Sequence, residues 1–408
     1  MPFTIITLKN GIRLIHEEVD SPISHFGVLI NAGTRDEDAR HEGIAHFVEH
    51  TIFKGTEKRS AHQIIRRLED VGGDLNASTS KEETYFHASF LSADYARAVE
   101  LLADIFAHST FPEQELEKEK DVVIEEINYY KDSPSELIFD DFETLIYGQH
   151  PLGRNILGSR KSVKAFKRQD ILDFISQNYT QGRVVLASAG KISSQRLTQL
   201  CQRYFEPIPL AGVPVRRSVF TDYRPENKRI NRHSNQSHIM IGNLAYDIRQ
   251  KERTAFTLLT NLLGGQGMNT RLNMAIRENK GLAYSVEASY SSFSDSGLFN
   301  IYIGCEHDAI DRCIKLTYKE LDKLRQQKLG SLQLHYAKKQ FLGQLAIANE
   351  SKLNEMIAIG RTALFFDQVD TMDETIDKVE RITAEEILSC ANEILIPNQM
   401  STLIYAKP

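Results

Sequence analysis

Two histidines and a glutamate, in His46-Phe47-Val48-Glu49-His50, are the residues of this sequence best placed to do chemistry. On a helix, positions four apart stack one turn above the other, so His46 and His50 can both reach one metal ion. Glu49 projects near the same face. A water activated by such an ion needs a base within hydrogen-bond reach, and Glu49 is the carboxylate available for it. A bare H-x-x-x-H pair is most often two ordinary surface histidines; the interposed glutamate is what points to hydrolysis.

Hydrolytic zinc takes three protein ligands and keeps one position open, so a third ligand has to lie downstream. The candidates are Glu119, Glu125 and Glu126 in an acidic helical stretch, and His87. Glu119 and Glu126 are seven apart, two turns along one face, while Glu125 points about a quarter turn aside. An anionic pair so spaced can serve as ligand and as orienter, because a liganding histidine usually donates its other nitrogen to a carboxylate. Spacing alone leaves open which of Glu119 and Glu126 takes which part. The plain alternative is a solvated Glu-Lys face.

The elements that must position these residues follow from local pattern. Thr4 to Val19 reads as two strands around Asn10-Gly11, a hairpin signal. Ser24 to Ala32 is a strand, and the charged loop Thr34 to His41 leads into the histidine helix. Ala61 to Leu68 is helical, Asn76-Ala77-Ser78-Thr79 leads into a strand over Thr84 to Phe90, and Tyr95 to Phe106 is helical. Pro112 and the acidic residues after it mark the start of a long helix reaching about Tyr130. Helices are expected over Ser135 to Leu145, Ser162 to Gln177 and Ser193 to Phe205, with a strand at Arg183 to Ala189.

Four prolines (207, 209, 214 and 225) then fall among residues with no sustained periodicity, which reads as a linker over 208–228 between domains 1–207 and 229–408. The second part echoes the first. Ser237 to Gly242 is a strand, Ala255 to Leu263 a helix in the place of the metal helix, and Thr270 to Glu278 a further helix. Gly281-Leu282-Ala283-Tyr284-Ser285 stands where Gly73-Asp74-Leu75-Asn76-Ala77 stood; a strand with Tyr302 and a helix through Ile310 to Leu324 follow. This is the pattern of a diverged internal duplication. At an offset of 208, Thr254 and Leu258 replace the histidines, so only one half can hold the metal.

A chain of 408 residues exceeds the size at which one core usually stops growing, which agrees with two domains. Its composition, 41% hydrophobic and 25% charged, is that of a globular protein. A net charge of -6 gives no reason to propose nucleic acid as a partner. Cys201, Cys305, Cys313 and Cys390 form no C-x-x-C pair and read as buried thiols of a reducing compartment. No signal-like or membrane-spanning stretch is visible, so a cytoplasmic location is expected.

The chain resembles the insulinase-type, or pitrilysin, metallopeptidases, whose inverted H-x-x-E-H order marks the inverzincins. It is similar in particular to their short two-domain members, such as the mitochondrial processing peptidase beta subunit and its bacterial relatives. The resemblance covers essentially the whole chain. Beyond the histidine motif it rests on Gly33-Thr34-Arg35-Asp36-Glu37, Phe53-Lys54-Gly55-Thr56, Glu119-Lys120-Asp121-Val122-Val123-Ile124-Glu125-Glu126, His150-Pro151-Leu152-Gly153-Arg154, and the run from Arg277 to Tyr284. It implies one zinc ion per chain held by His46, His50 and Glu126, with Glu119 assisting and Glu49 as general base. Arg277 and Tyr284 would bind substrate at the zinc, and Asn76 and Ala77 would belong to an edge that adds the peptide as an extra strand.

The fold implied is α+β: two related domains, each a mostly antiparallel sheet faced by helices. The activity implied is that of a zinc endopeptidase acting on extended peptides or unfolded segments. A homodimer enclosing a chamber is implied, with a heterodimer containing an inactive relative as its variant. The competing reading is a non-catalytic partner subunit; such subunits typically lose a ligand or base, and none is missing here. Gly264-Gly265-Gln266-Gly267 lacks the Gly-Lys-Ser/Thr of a nucleotide site and reads as a flexible turn first, a substrate contact second.

Overall fold

A computed structural model describes residues 3–214, 217–366 and 368–407. Residues 215 and 216 of the expected linker lie outside this set, as do residues 1, 2 and 408 at the ends of the expected domains. The chain opens with the hairpin β1 (Phe3–Thr7) and β2 (Arg13–Glu18), followed by β3 (Ile23–Ile30). Helices α1 (Ile44–Thr51) and α2 (Ala61–Glu69) precede β4 (Asp74–Thr79) and β5 (Thr84–Leu91). Then come α3 (Tyr95–His108), α4 (Glu113–Lys131), α5 (Pro134–Tyr147), α6 (Arg160–Ala165), α7 (Arg168–Asn178), β6 (Val184–Gly190) and α8 (Ser194–Tyr204).

The second half starts with β7 (Asn227–Asn231), β8 (Ser237–Ala245) and α9 (Arg253–Gly264). A π-helical turn, Asn273–Glu278, leads to β9 (Ala283–Ser292) and β10 (Gly297–Cys305). Helices α10 (Ile310–Gln326), α11 (Ser331–Ala348), α12 (Lys352–Phe365), α13 (Met372–Glu380) and α14 (Ala384–Ile394) follow, and β11 (Ser401–Ala406) ends the chain.

One expectation needs correcting: the helix from Ser162 to Gln177 is two helices. Phe166 turns out of helical geometry (ψ 134°), which buries its ring against Phe47 of α1, with centroids 5.4 Å apart. Asp170 then accepts the Lys167 N–H at 2.8 Å and starts the next helix.

The six-stranded sheet has the order β1-β2-β6-β3-β5-β4 and the five-stranded sheet β7-β11-β8-β10-β9. With β1 set aside, the two orders correspond strand for strand. The parallel pair of the first, β2 with β6, matches the parallel pair of the second, β7 with β11; every other pairing is antiparallel. Two copies of one α+β topology are present, as an internal duplication requires. The free edges correspond as well: β4 in one sheet, β9 in the other.

The chain divides into two compact units, and neither is continuous. The first holds residues 1–128, 154–217 and 348–369; the second holds 129–153, 218–347 and 370–408. The first sheet thus carries a helix from the second half of the sequence. Helix α12 lays Met356, Ile359, Ala363 and Leu364 on Leu29, Val185 and Ala187. Gly360 permits the approach, since a Cβ there would come within 2.8 Å of both Ala187 and Leu29. Each such apolar side chain fully buried is worth about 1.5–3 kcal/mol relative to exposure. In the second unit, α5 does the reciprocal job: Ile138, Phe142 and Ile146 pack on Met240, Leu298 and Leu403. Helices α9, α10 and α14 build the core on the other side of that sheet.

Candidate metal centre

Gly43 precedes helix α1 in the left-handed region (φ +90°) and, being glycine, has no side chain with which to cap it. Glu37 supplies one from the preceding loop: Oε2 accepts the Gly43 N–H at 2.9 Å and Oε1 the Ala45 N–H at 2.8 Å. Burial pushes this carboxyl up to about 8 against the pull of those two N–H groups and Arg154. Arg154 also donates to the Glu37 carbonyl at 2.8 Å. The same loop is pinned by ion pairs of Arg35 with Glu82 (2.6 Å) and of Asp36 with Arg183 (2.8 Å). Phe47 and Val48, both buried, fix the inner face of α1.

His46 and His50 come off the opposite side of α1, with ring centroids 4.5 Å apart. Helix α4 brings Glu126 to them. Glu126 Oε2 lies 3.6 Å from His46 Nε2 and 3.4 Å from His50 Nε2. One ligand atom from each of the three lies within 4.8 Å of the others. Tetrahedral zinc with bonds near 2.05 Å has ligand-to-ligand edges of about 3.3–3.4 Å, so the donor set fits such an ion. Glu126 Oε2 is buried and, among the described residues, makes no hydrogen bond, as expected of an atom that awaits a cation.

Two turns back along α4, Glu119 Oε1 lies 3.0 Å from His50 Nδ1, and its Oε2 is 2.7 Å from Lys54 Nζ. With Nδ1–H given to Glu119, His50 turns the lone pair of Nε2 to the cluster. His46 Nδ1 is buried without a hydrogen bond.

Electrostatics divide the two imidazoles. Burial, aided by the charge of His50, pushes His46 down to about 4, so it is neutral. Burial pulls on His50 as well, but the hydrogen bond to Glu119 and the charges of Glu119 and Glu126 outweigh it and raise His50 to about 9. His50, 3.4 Å away, holds the Glu126 carboxyl below its ordinary range against its own burial. Burial would raise Glu119, yet His50 and Lys54 leave it lowered. Without an ion, a proton on His50 supplies the positive charge that two carboxylates demand; a metal ion can take that place. Burial raises the Glu49 carboxyl, partly offset by the Thr79 hydroxyl and His50.

The structure brings His46, His50 and Glu126 together, with Glu49 and Glu119 beside them. Glu125 is exposed on α4, where it accepts a hydrogen bond from Asn128 (3.4 Å). His87 lies on the sheet face shared with Gly27 and Met356, outside the cluster. Asn76 is exposed on the edge strand β4, and its Oδ1 accepts the Ala77 N–H at 2.8 Å. In the second unit, Arg277 lies in the π-helical turn one residue before its end, its Nε 3.7 Å from Glu278. Tyr284 begins β9, half exposed, and its ring covers Gly304. Glu37 and Lys54 were given no role by sequence reasoning; an acidic residue shortly before an uncapped helix start was the available sign for Glu37.

The fold and this cluster together define a two-domain peptidase fold with a candidate metal site. The family model described as Insulinase (Peptidase family M16) matches residues 13–160, and that described as Peptidase M16 inactive domain matches 165–341. The zinc protease YmxG of Bacillus subtilis is 33% identical, over 98% of this chain and 97% of its own. A zinc protease of Rickettsia felis is 32% identical, over 98% and 97%. The chain belongs to peptidase family M16. Two crystal structures share the fold at a TM-score of 0.92 each: a peptidase M16 inactive domain from Pseudomonas fluorescens (20% identity, 100% of this chain, 99% of that one) and a protease from Helicobacter pylori (21%, 100% and 99%).

Proposed function

We propose that this chain is a zinc-dependent endopeptidase that cleaves extended peptides or unfolded segments. The observation that carries the reading is the meeting of His46 Nε2, His50 Nε2 and Glu126 Oε2 on two helices that also hold Glu49 and Glu119. Zinc held by these three would supply a Lewis acid for a water and for the scissile carbonyl. Glu49 takes a proton from the attacking water at its carboxylate and delivers it to the leaving nitrogen. A carboxyl raised by burial keeps that proton long enough to pass it on. Glu119 fixes the ring and tautomer of His50.

In this reading Arg277 and Tyr284 bind the substrate. The phenol donates to the carbonyl oxygen as charge builds on it, and the guanidinium pairs with a substrate carbonyl or carboxylate. The free edge of β4, at Asn76 and Ala77, takes the substrate as an added strand. That mode selects extended chains, because a folded protein seldom offers an unpaired segment. Two copies of the chain would enclose a chamber, in the manner of a processing peptidase, with one zinc per chain; pairing with an inactive relative is the variant arrangement.

The test is hydrolysis of an unstructured peptide by the purified chain alone, with zinc content measured in parallel. Glu49→Gln is expected to keep its zinc and lose at least about 100-fold in turnover. Metal-stripped protein is expected to be inactive and to recover on adding zinc. A chain that takes up no zinc would falsify the assignment of the site.

A further inference from the structure

Arg271 of the second unit is a charged group without a partner. Its side chain is half-buried, and among the described residues no hydrogen bond or ion pair reaches its guanidinium. The opposite charge that acts on it is Glu320, and that carboxylate is bonded instead to Lys323 Nζ at 2.5 Å. A cation partly shielded from water and left unpaired loses solvation that no partner repays. Burial accordingly pulls this guanidinium below its ordinary range. Arg271 also sits just ahead of the π-helical turn Asn273–Glu278, on the side where a helix dipole disfavours positive charge. Such turns are rare and gather at functional sites.

Beside Arg271 opens a cleft of about 530 Å³ lined mostly by polar and charged side chains, with Met274 and Ala275 as its apolar part. Asn269 and Asn279 contribute amides; Lys323 and Lys328 contribute ammonium groups. Lys328 is paired with Glu385, as Lys323 is with Glu320. Three cations against two carboxylates leave one positive charge uncompensated, and it falls on Arg271.

We infer that this cleft is a subsite for a carboxylate of the bound peptide, with Arg271 as the residue that grips it. The inference rests on the peptidase reading. The carboxylate is that of an acidic side chain or of the peptide's free C-terminus; both present the planar oxygen pair that a guanidinium fork matches. Such a ligand supplies the missing negative charge, and the two asparagine amides can donate to its remaining lone pairs. Arg277 lies within the same turn that Arg271 precedes, so one short stretch of backbone presents two arginines to peptide.

The experiment uses the full chain carrying Glu49→Gln, loaded with zinc, and one labelled unstructured peptide in four forms. These forms combine a central Glu or Gln with a free or amidated C-terminus. Binding is followed by fluorescence anisotropy. One of the two carboxylates is expected to tighten binding by about tenfold to a hundredfold. The peptide form that benefits identifies the source. Adding Arg271→Gln is expected to erase the preference while leaving the Gln, amidated peptide bound as before. Asn279→Asp, an exposed change that places a competing carboxylate in the cleft, is expected to erase it too. Peptides that all bind equally, or a preference that survives both changes, would overturn this inference alone. Failure of all four to bind would overturn the peptidase reading and this inference with it.

Discussion

Glu119 holds two cations at once, His50 on one oxygen and Lys54 on the other. The consequence reaches the metal through a proton. With His50 raised to about 9 and His46 lowered to about 4, the ion-free site carries one proton at neutral pH, and an incoming ion must expel it. Zinc affinity is therefore expected to climb about tenfold per pH unit between pH 6 and 8 and to level off near 9, with one proton released per ion, measurable by calorimetry in buffers of different ionisation heat. The same raised pKa stabilises the ion-free fold: that contribution is complete below the ordinary 6.5 and fades as pH climbs through about 9. Lys54 restrains how firmly Glu119 keeps the proton on His50. Lys54→Met is expected to weaken zinc binding at pH 7 by about tenfold, and Lys54→Arg to restore most of it. Equal affinity in the Met variant would remove Lys54 from the site. The sequence disclosed His46, Glu49 and His50 because their chemistry lies within one helical turn. The choice between Glu119 and Glu126 was closed to spacing, since both share a face and only the angle between α1 and α4 separates them. Lys54 was visible only within Phe53-Lys54-Gly55-Thr56; its pairing with Glu119 was not, because the two are 65 residues apart with no periodicity linking them.

Among the elements, the metal helix depends on parts that do not touch the ion. Its first turn is capped by Glu37, and its inner face is held by the Phe166 ring where α6 breaks from α7. Local pattern located α1, α3 and α4 well, because an apolar stripe, a proline and acidic first-turn residues are local properties. It could not divide 162–177, since the break serves a ring contact across 119 residues of chain. It could not foresee the π-helical turn either, whose i→i+5 bonding over six residues is too short to shift the pattern away from that of an ordinary helix. Helix α12 offers the sharpest test at this scale. Gly360→Leu would drive a side chain into Ala187 and Leu29, and is expected to destabilise the fold by about 1–3 kcal/mol in urea titration. A neutral result would mean that α12 does not lie against the sheet.

For the whole molecule, the duplication was legible as an echo of strands, helices and glycines, and the matching strand orders bear it out. The exchange of α5 and α12 was not, because each helix has the apolar stripe it would need to pack on its own half. Pattern shows that a face must be covered; it does not say by which copy. Fragments 1–214 and 217–408 are accordingly expected to fail to fold cooperatively when made apart, and to regain zinc binding when refolded together, as followed by circular dichroism and zinc titration. A first fragment that folds and binds zinc alone would show α12 to be dispensable. Synthesis imposes an order on this architecture. The last strand of the first sheet, β6, ends at Gly190, while the helix that covers Leu29, Val185 and Ala187 begins at Lys352. At ordinary elongation rates the intervening chain takes about 10–30 s to make. For that interval the nascent chain carries a finished apolar sheet face with nothing to lie on it, so this enzyme-like fold is born exposed and depends on chaperones, or on speed, to reach the state in which its metal site is whole.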